Sequence, residues 1–377
     1  MRNSFERIEN VQILMNDGVF RKGSIEFGET IQKIELCDTS NIGTVGSYVI
    51  PGLIDLHTHG ACGGDHSDGS AEKLHEMSLF YAKNGVTSFL ATTLTDTEES
   101  LSVAMGNIAQ YERSENGARC VGVNMEGPFF SYDKRGAHPA ELLMLPDIHM
   151  FKRLFKLSGE CIKLVCVSPE LEGAMDFIRE ASQMCYVSLA HSTANYETAM
   201  EGFANGATHV THLFNGMNSF LHREPGIIGA ALDSGAFVEV ICDGNHLHSA
   251  MIRAIFNMFP RRTCLISDSL RCTNMPDGNY ESAGLPIVVK NGKAMLKDGH
   301  SLAGSTITLL QGVRIAVSLG IPLANAVTAA TLHCAQAIGM EKQIGSLVTG
   351  AYSDFVILDN ELNVQKVYIS GKEIYRD

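Results

Sequence analysis

Eight short apolar runs, separated by segments of helical period, constrain this chain more than any other feature. They fall at 52–56, 87–92, 120–125, 162–167, 186–190, 208–211, 237–242 and 263–267. Strands that are apolar on both faces belong to buried parallel sheets. Helical patterns at 71–84, 97–112, 171–184, 195–205 and 248–258 lie between them. Eight strands with interleaved helices predict an α/β fold, a (β/α)8 TIM-like barrel.

The 377 residues exceed what such a barrel needs. Both ends look β-rich. Runs at 11–15, 24–27 and 31–36 flank turn signals at Asp17-Gly18 and Lys22-Gly23, and runs at 354–358 and 364–369 precede Ser370-Gly371-Lys372. Neither end suffices for a stable sheet alone. The expectation is one small β-sandwich domain from residues 1–52 plus 344–377, beside a barrel over residues 53–343. A segment at 287–297 with Asn291-Gly292 at its centre predicts a hairpin inserted late in the barrel.

Composition narrows the class. The chain is 45% hydrophobic and 19% charged, as globular proteins are. Its net charge of −13 argues against a nucleic-acid partner, which needs a dense basic face, but leaves room for an anionic small molecule. Ten scattered cysteines form no CxxC pair and read as small hydrophobes in a reduced, cytoplasmic protein. The amino terminus lacks the apolar region of a signal peptide, and no run approaches 18 apolar residues, so no membrane span is expected.

Polar groups collect at the strand exits. The first strand ends Asp55-Leu56-His57-Thr58-His59, and alternation points His57 and His59 to one side. The third ends at Glu126, the fifth at His191, the sixth at His212 and the eighth at Asp268. Barrel enzymes place their chemistry at this carboxyl end. Any one strand-end histidine is more often structural, and Glu126 before Gly127-Pro128 could simply cap a turn. Five exits together point to a divalent metal such as zinc or iron. An open coordination position would let water ionise near neutral pH, with Asp268 as the proton acceptor.

The segment Val49-Ile-Pro-Gly-Leu-Ile-Asp-Leu-His-Thr-His-Gly60 resembles the first barrel strand of the amidohydrolase superfamily. Further motifs are Asn124-Met-Glu-Gly-Pro-Phe129, Gly136-Ala-His-Pro139, Ala190-His-Ser192, His212-Leu-Phe-Asn-Gly-Met217, Arg223-Glu-Pro-Gly226, Asp243-Gly-Asn-His246 and Leu302-Ala-Gly-Ser305. In order along nearly the whole chain, they resemble the N-acetylglucosamine-6-phosphate deacetylase family.

The resemblance implies Glu126, His191 and His212 as principal metal ligands, and His57 and His59 as ligands of a second ion where one is held. It implies one or two zinc or iron ions per subunit. It implies Asp268 as the acid/base and His138 as a group that polarises the acetyl carbonyl. Asn215 and Gly216 match substrate contacts. Arg223 and His246 match holders of the sugar phosphate, with Arg223 reaching across from a neighbouring subunit of a homodimer. Strand four ends Val165-Cys-Val-Ser-Pro169 without the lysine that bridges metals in many relatives, so Glu126 takes that place.

The implied reaction, a step in amino-sugar catabolism, is hydrolysis of a 6-phosphorylated N-acetylglucosamine to acetate and the amino-sugar phosphate. The galactosamine epimer is an alternative substrate. Another cyclic-amide or amino-acid amidohydrolase fits the Arg223 and His246 pair less well, and a non-catalytic scaffold would be free to lose ligands that this chain keeps. His248 reads as helix surface, and His66, His75, His149, His209, His300 and His333 as structural or exposed.

Overall fold

A computed structural model describes residues 5–37, 47–299 and 301–377, and His300 lies outside them. Eight parallel strands run in sequence order through one sheet: β1 (Leu53–Thr58), β2 (Val86–Thr93), β3 (Arg119–Met125), β4 (Ile162–Val167), β5 (Tyr186–Leu189), β6 (His209–Val210), β7 (Phe237–Ile241) and β8 (Thr263–Ile266). The last strand meets the first: Asp268 N–H donates to the His57 carbonyl and His59 N–H to the Ser269 carbonyl, both at 2.8 Å. Bonds that close the barrel are thus made by residues of the strand exits themselves.

A helix follows every strand: Ala71–Lys83, Glu98–Ala109, Ile148–Leu157, Ala174–Ala181, Tyr196–Ala204, Gly226–Ser234, Ser249–Met258 and Leu309–Ser318. Ser70, Thr97, Asp147, Asn195 and Thr308 cap their helices by accepting backbone N–H groups, each worth about 1 kcal/mol. The expected helix at 171–184 is shorter, because Gly173 enters it at φ +82°. Phe129, fully buried, packs edge-on against Phe177 at 4.9 Å, and Phe177 against Phe151 at 5.6 Å. This trio anchors two outer helices and the segment just after Glu126. Burying each ring contributes about 1.5–3 kcal/mol.

The ends of the chain build a seven-stranded sheet in the order Lys372–Arg376, Val364–Ile369, Phe355–Leu358, Tyr48–Pro51, Glu6–Leu14, Phe20–Phe27, Ile31–Leu36. Phe27 and Phe355 are three strands apart in that order, yet their rings are 5.0 Å apart. A flat sheet would separate them by about 14 Å, so the sheet curls until its flanks face each other. The late insertion has three antiparallel strands, Gly278–Ser282, Leu285–Lys290 and Lys293–Leu296. The first was not expected, since Gly-Asn-Tyr-Glu-Ser carries little apolar alternation. Among the described residues no helix is long and apolar enough to cross a membrane.

Candidate metal centre and active site

The strand exits converge. Glu126 follows the last residue of β3, and His191, His212 and Asp268 each lie two residues past β5, β6 and β8. These last three have φ of +46°, +28° and +49°. Left-handed backbone at non-glycine residues costs of order 1–3 kcal/mol each and persists only where the surroundings hold it. They do here. The His191 carbonyl accepts from Ser168 Oγ at 2.7 Å and from Ser131 N at 3.2 Å, and the Asp268 carbonyl accepts from Ser305 N at 2.7 Å.

Glu126 sits between two pairs of imidazoles. Its Oε1 lies 3.3 Å from His191 Nε2 and 3.0 Å from His212 Nε2. Its Oε2 lies 3.2 Å from His59 Nε2 and 3.5 Å from His57 Nε2. Asp268 Oδ1 is 3.2 Å from His59 Nε2 and 3.6 Å from His57 Nε2. Two groups result whose atoms could hold an ion, His57–His59–Glu126 and Glu126–His191–His212, all buried.

The tautomers test whether a cation fits. His191 Nδ1–H donates to the Lys134 carbonyl at 2.8 Å, and His212 Nδ1–H to the Asn215 carbonyl at 3.2 Å. A carbonyl only accepts, so in the neutral rings each Nε2 carries a lone pair. Those nitrogens are 3.1 Å apart and both face a carboxylate oxygen. Three acceptors pointing inward at such distances repel unless a cation joins them, and the donor set of nitrogen and oxygen suits a divalent transition metal. Second-nitrogen hydrogen bonds of this kind also orient metal-binding histidines.

Electrostatics show the same demand for positive charge: the carboxylates draw protons onto imidazoles whose nitrogens would otherwise meet a metal ion. Burial disfavours charge on Glu126, but His57, His191 and His212 outweigh it and hold the carboxylate well below its ordinary range. Burial likewise opposes protonation of His59, yet Asp268 and Glu126 pull it up to about 9. Asp268 is kept low against burial by His59 and His57, so it is ionised at neutral pH. His138 is the exception: burial and then the neighbouring His191 push it down to about 3. It is neutral; its Nε2 faces the floor, 3.6 Å from Glu126 Oε2, while its Nδ1 is buried without a partner among the described residues.

Above this floor opens a cavity of about 380 Å³, lined by His59, Glu126, His138, His191, His212, Asn215, Gly216, His246 and Asp268, with Ser282 and residues 301–304 on the insertion side. Gly216 has φ +62°, and an added Cβ would come within 2.9 Å of His191 Nδ1, so only glycine brings its backbone this close. His246 Nδ1 is 2.9 Å from Asp243 Oδ2.

Arg223 is not brought to this cavity. It is exposed, beside a separate groove of about 590 Å³ with Asn195, Tyr196 and Asn218. Of the remaining histidines, His66 is buried and stacked on Phe89, while His209 and His333 are buried and His75 and His149 exposed. His248 is exposed and caps its helix by accepting the Ala250 N–H. Sequence reasoning missed Glu239, a carboxylate inside the apolar run of β7 that accepts from His57 Nδ1 at 2.9 Å. The signal was present: a charge in a strand otherwise buried on both faces.

Asp243 offers a pH test. Burial raises its carboxyl, but hydrogen bonds from the His246 ring and from backbone N–H groups outweigh this and hold it at about 2. A depressed carboxyl stabilises the fold above its unfolded value near 4 and loses that contribution as pH falls through the folded one. In urea titrations the Asp243→Asn variant should be less stable than wild type at pH 6, with the gap closing near pH 2. A gap independent of pH would show that the charge is not what matters.

Residues 48–374 match the amidohydrolase family, and the chain belongs to that family of hydrolases. Within it, the chain belongs with the N-acetylated amino-sugar 6-phosphate deacetylases. It is 34% identical over 361 residues to the N-acetylglucosamine-6-phosphate deacetylase of Vibrio furnissii, covering 95% of this chain and 90% of that protein. It is 36% identical over 326 residues to the N-acetylgalactosamine-6-phosphate deacetylase of Escherichia coli O157:H7, covering 85% and 86%. Among solved structures it resembles a mutant of N-acetyl-D-glucosamine-6-phosphate deacetylase from Mycobacterium smegmatis in complex with N-acetyl-D-glucosamine-6-phosphate. The TM-score is 0.91 at 29% identity, covering 98% of this chain and 99% of that one.

Proposed function

We propose that this chain hydrolyses the acetamide of N-acetyl-D-glucosamine 6-phosphate, releasing acetate and D-glucosamine 6-phosphate. One observation carries this reading: a single carboxylate, Glu126, faces two imidazole pairs at the floor of a sugar-sized cavity, with ionised Asp268 beside it. Glu126, His191 and His212 would hold one divalent ion, and His57 and His59 with Glu126 a second; zinc or iron suits both groups. A divalent ion held there supplies acidified water and a polarised acetamide carbonyl.

The chain's own residues do the rest. Asp268 takes the proton of the attacking water and passes it to the departing amine nitrogen. The neutral His138 ring donates to the carbonyl oxygen as negative charge grows there. Asn215 and the Gly216 backbone orient the sugar. His246, held by Asp243, faces the phosphate end. We read Arg223 as serving the phosphate of a second copy in a homodimer, supported by its exposure and its absence from its own cavity. We infer the same division of labour along the chain: residues 1–52 with 344–377 as support, residues 53–343 as the catalytic barrel. Ten free cysteines support the cytoplasm as its compartment.

Acetate release measured on both 6-phosphorylated epimers tests the substrate. The galactosamine reading is favoured by the 36% identity to a relative named for it. Preference for the glucosamine epimer is expected; a large preference for the other reverses the assignment. For Arg223→Ala, KM on the 6-phosphorylated substrate should rise roughly 10–100-fold, as loss of a charge-assisted contact implies. Its activity on plain N-acetylglucosamine should stay as it was, and equal losses on both would remove Arg223 from the phosphate site.

A further inference from the structure

One buried carboxylate of the barrel has no part in the mechanism above. Glu239 lies mid-strand in β7 at 1% exposure, between Val238 and Val240, both fully buried. A carboxylate in such a place is costly unless it is hydrogen-bonded. Both of its partners belong to the metal centre. Its Oε2 accepts His57 Nδ1–H at 2.9 Å and the backbone N–H of His212 at 3.4 Å. Its Oε1 has no partner among the described residues.

The bond to His57 fixes that ring. With Nδ1 donating to a carboxylate, the Nε2 lone pair faces Glu126 and Asp268, 3.5 and 3.6 Å away. The other group is backed differently: His191 and His212 donate to neutral main-chain carbonyls. A carboxylate behind an imidazole raises its basicity as well as orienting it, which a neutral carbonyl does less. We infer that Glu239 is a positioning residue whose charge sets how tightly the His57–His59–Glu126 group holds a divalent cation, while the Glu126–His191–His212 group is nearly independent of it. This rests on the two-ion reading above.

The test is competitive zinc titration of the chelator-stripped full chain against a chromophoric chelator, comparing wild type, Glu239→Gln and Glu239→Leu. The Gln variant isolates the charge. Its amide oxygen can accept both N–H groups, while its NH2 takes the place of the unpartnered oxygen. Wild type should bind two zinc equivalents. Glu239→Gln should weaken one class roughly 10–100-fold, the range for loss of an outer partner, and leave the other unchanged; Glu239→Leu should weaken that same class further. Two unaltered classes in Glu239→Gln, or equal weakening of both, would overturn the inference. A wild-type stoichiometry of one is visible without any variant; it overturns the two-ion reading and the inference with it.

Discussion

Replacing Asp268 by Asn is expected to lower kcat roughly 10²–10⁴-fold, the usual cost of losing a positioned acid/base, with KM and bound metal close to wild type. Asp268 is ionised at neutral pH, because His59 and His57 hold its carboxyl low against burial. That makes it a proton acceptor, and it lies at the cavity floor with one oxygen 3.2 Å from His59. Asparagine fills the same space and keeps a carbonyl oxygen toward that ring, but it cannot take a proton. An effect confined to kcat identifies an interaction made in the transition state. The backbone at this position is already left-handed, at φ +49°, and asparagine tolerates that region well, so the fold should survive. Near-normal turnover would remove Asp268 from the proton path.

Glu126→Gln should be the other large loss. Glu126 is the one residue common to both ligand groups. Its two oxygens face different imidazole pairs, so one substitution disturbs both. It also supplies the negative charge that favours binding. Without it, His57, His59 and His212 lose the carboxylate that draws positive charge to them, and burial then works against any cation among them. Metal analysis should find the variant depleted of both ions. Turnover should fall by about 10³-fold or more, since a bound cation contributes several kcal/mol to stabilising developing charge. A thermal melt separates this from unfolding. A variant that retained both ions would deny Glu126 its shared role.

How much of this the sequence carried depends on the physical signal. The eight strands were legible because parallel barrel strands are apolar on both faces, and the expected runs differ from the observed strands by only a residue or two at the ends. The helix Gly226–Ser234 was not. Ile227, Ile228, Ala230 and Ala231 are all buried, so it shows no polar face from which a period could be read. Tyr48–Pro51 was missed because it adds to the terminal sheet only by pairing with strands at both ends of the chain. His57, His59, Glu126, His191, His212 and Asp268 stood out as polar groups at strand exits, and the structure gathers all six within a few ångströms. Glu239 lay inside a strand rather than at its end, so a search of the exits passed over it. Arg223 is the converse: the resemblance of its motif pointed to a phosphate, yet the structure sets it in an exposed loop outside the cavity.

Hydrolysis should depend on a cation held by the converging imidazoles and Glu126. This dependence is tested most directly by stripping the protein with a chelator and returning zinc stepwise, while following acetate release from N-acetyl-D-glucosamine 6-phosphate. The stripped protein should release negligible acetate, and the rate should climb with bound metal to a plateau at one or two equivalents per chain. Undiminished release from metal-free protein, or failure of the chain to take up metal at all, would contradict this dependence.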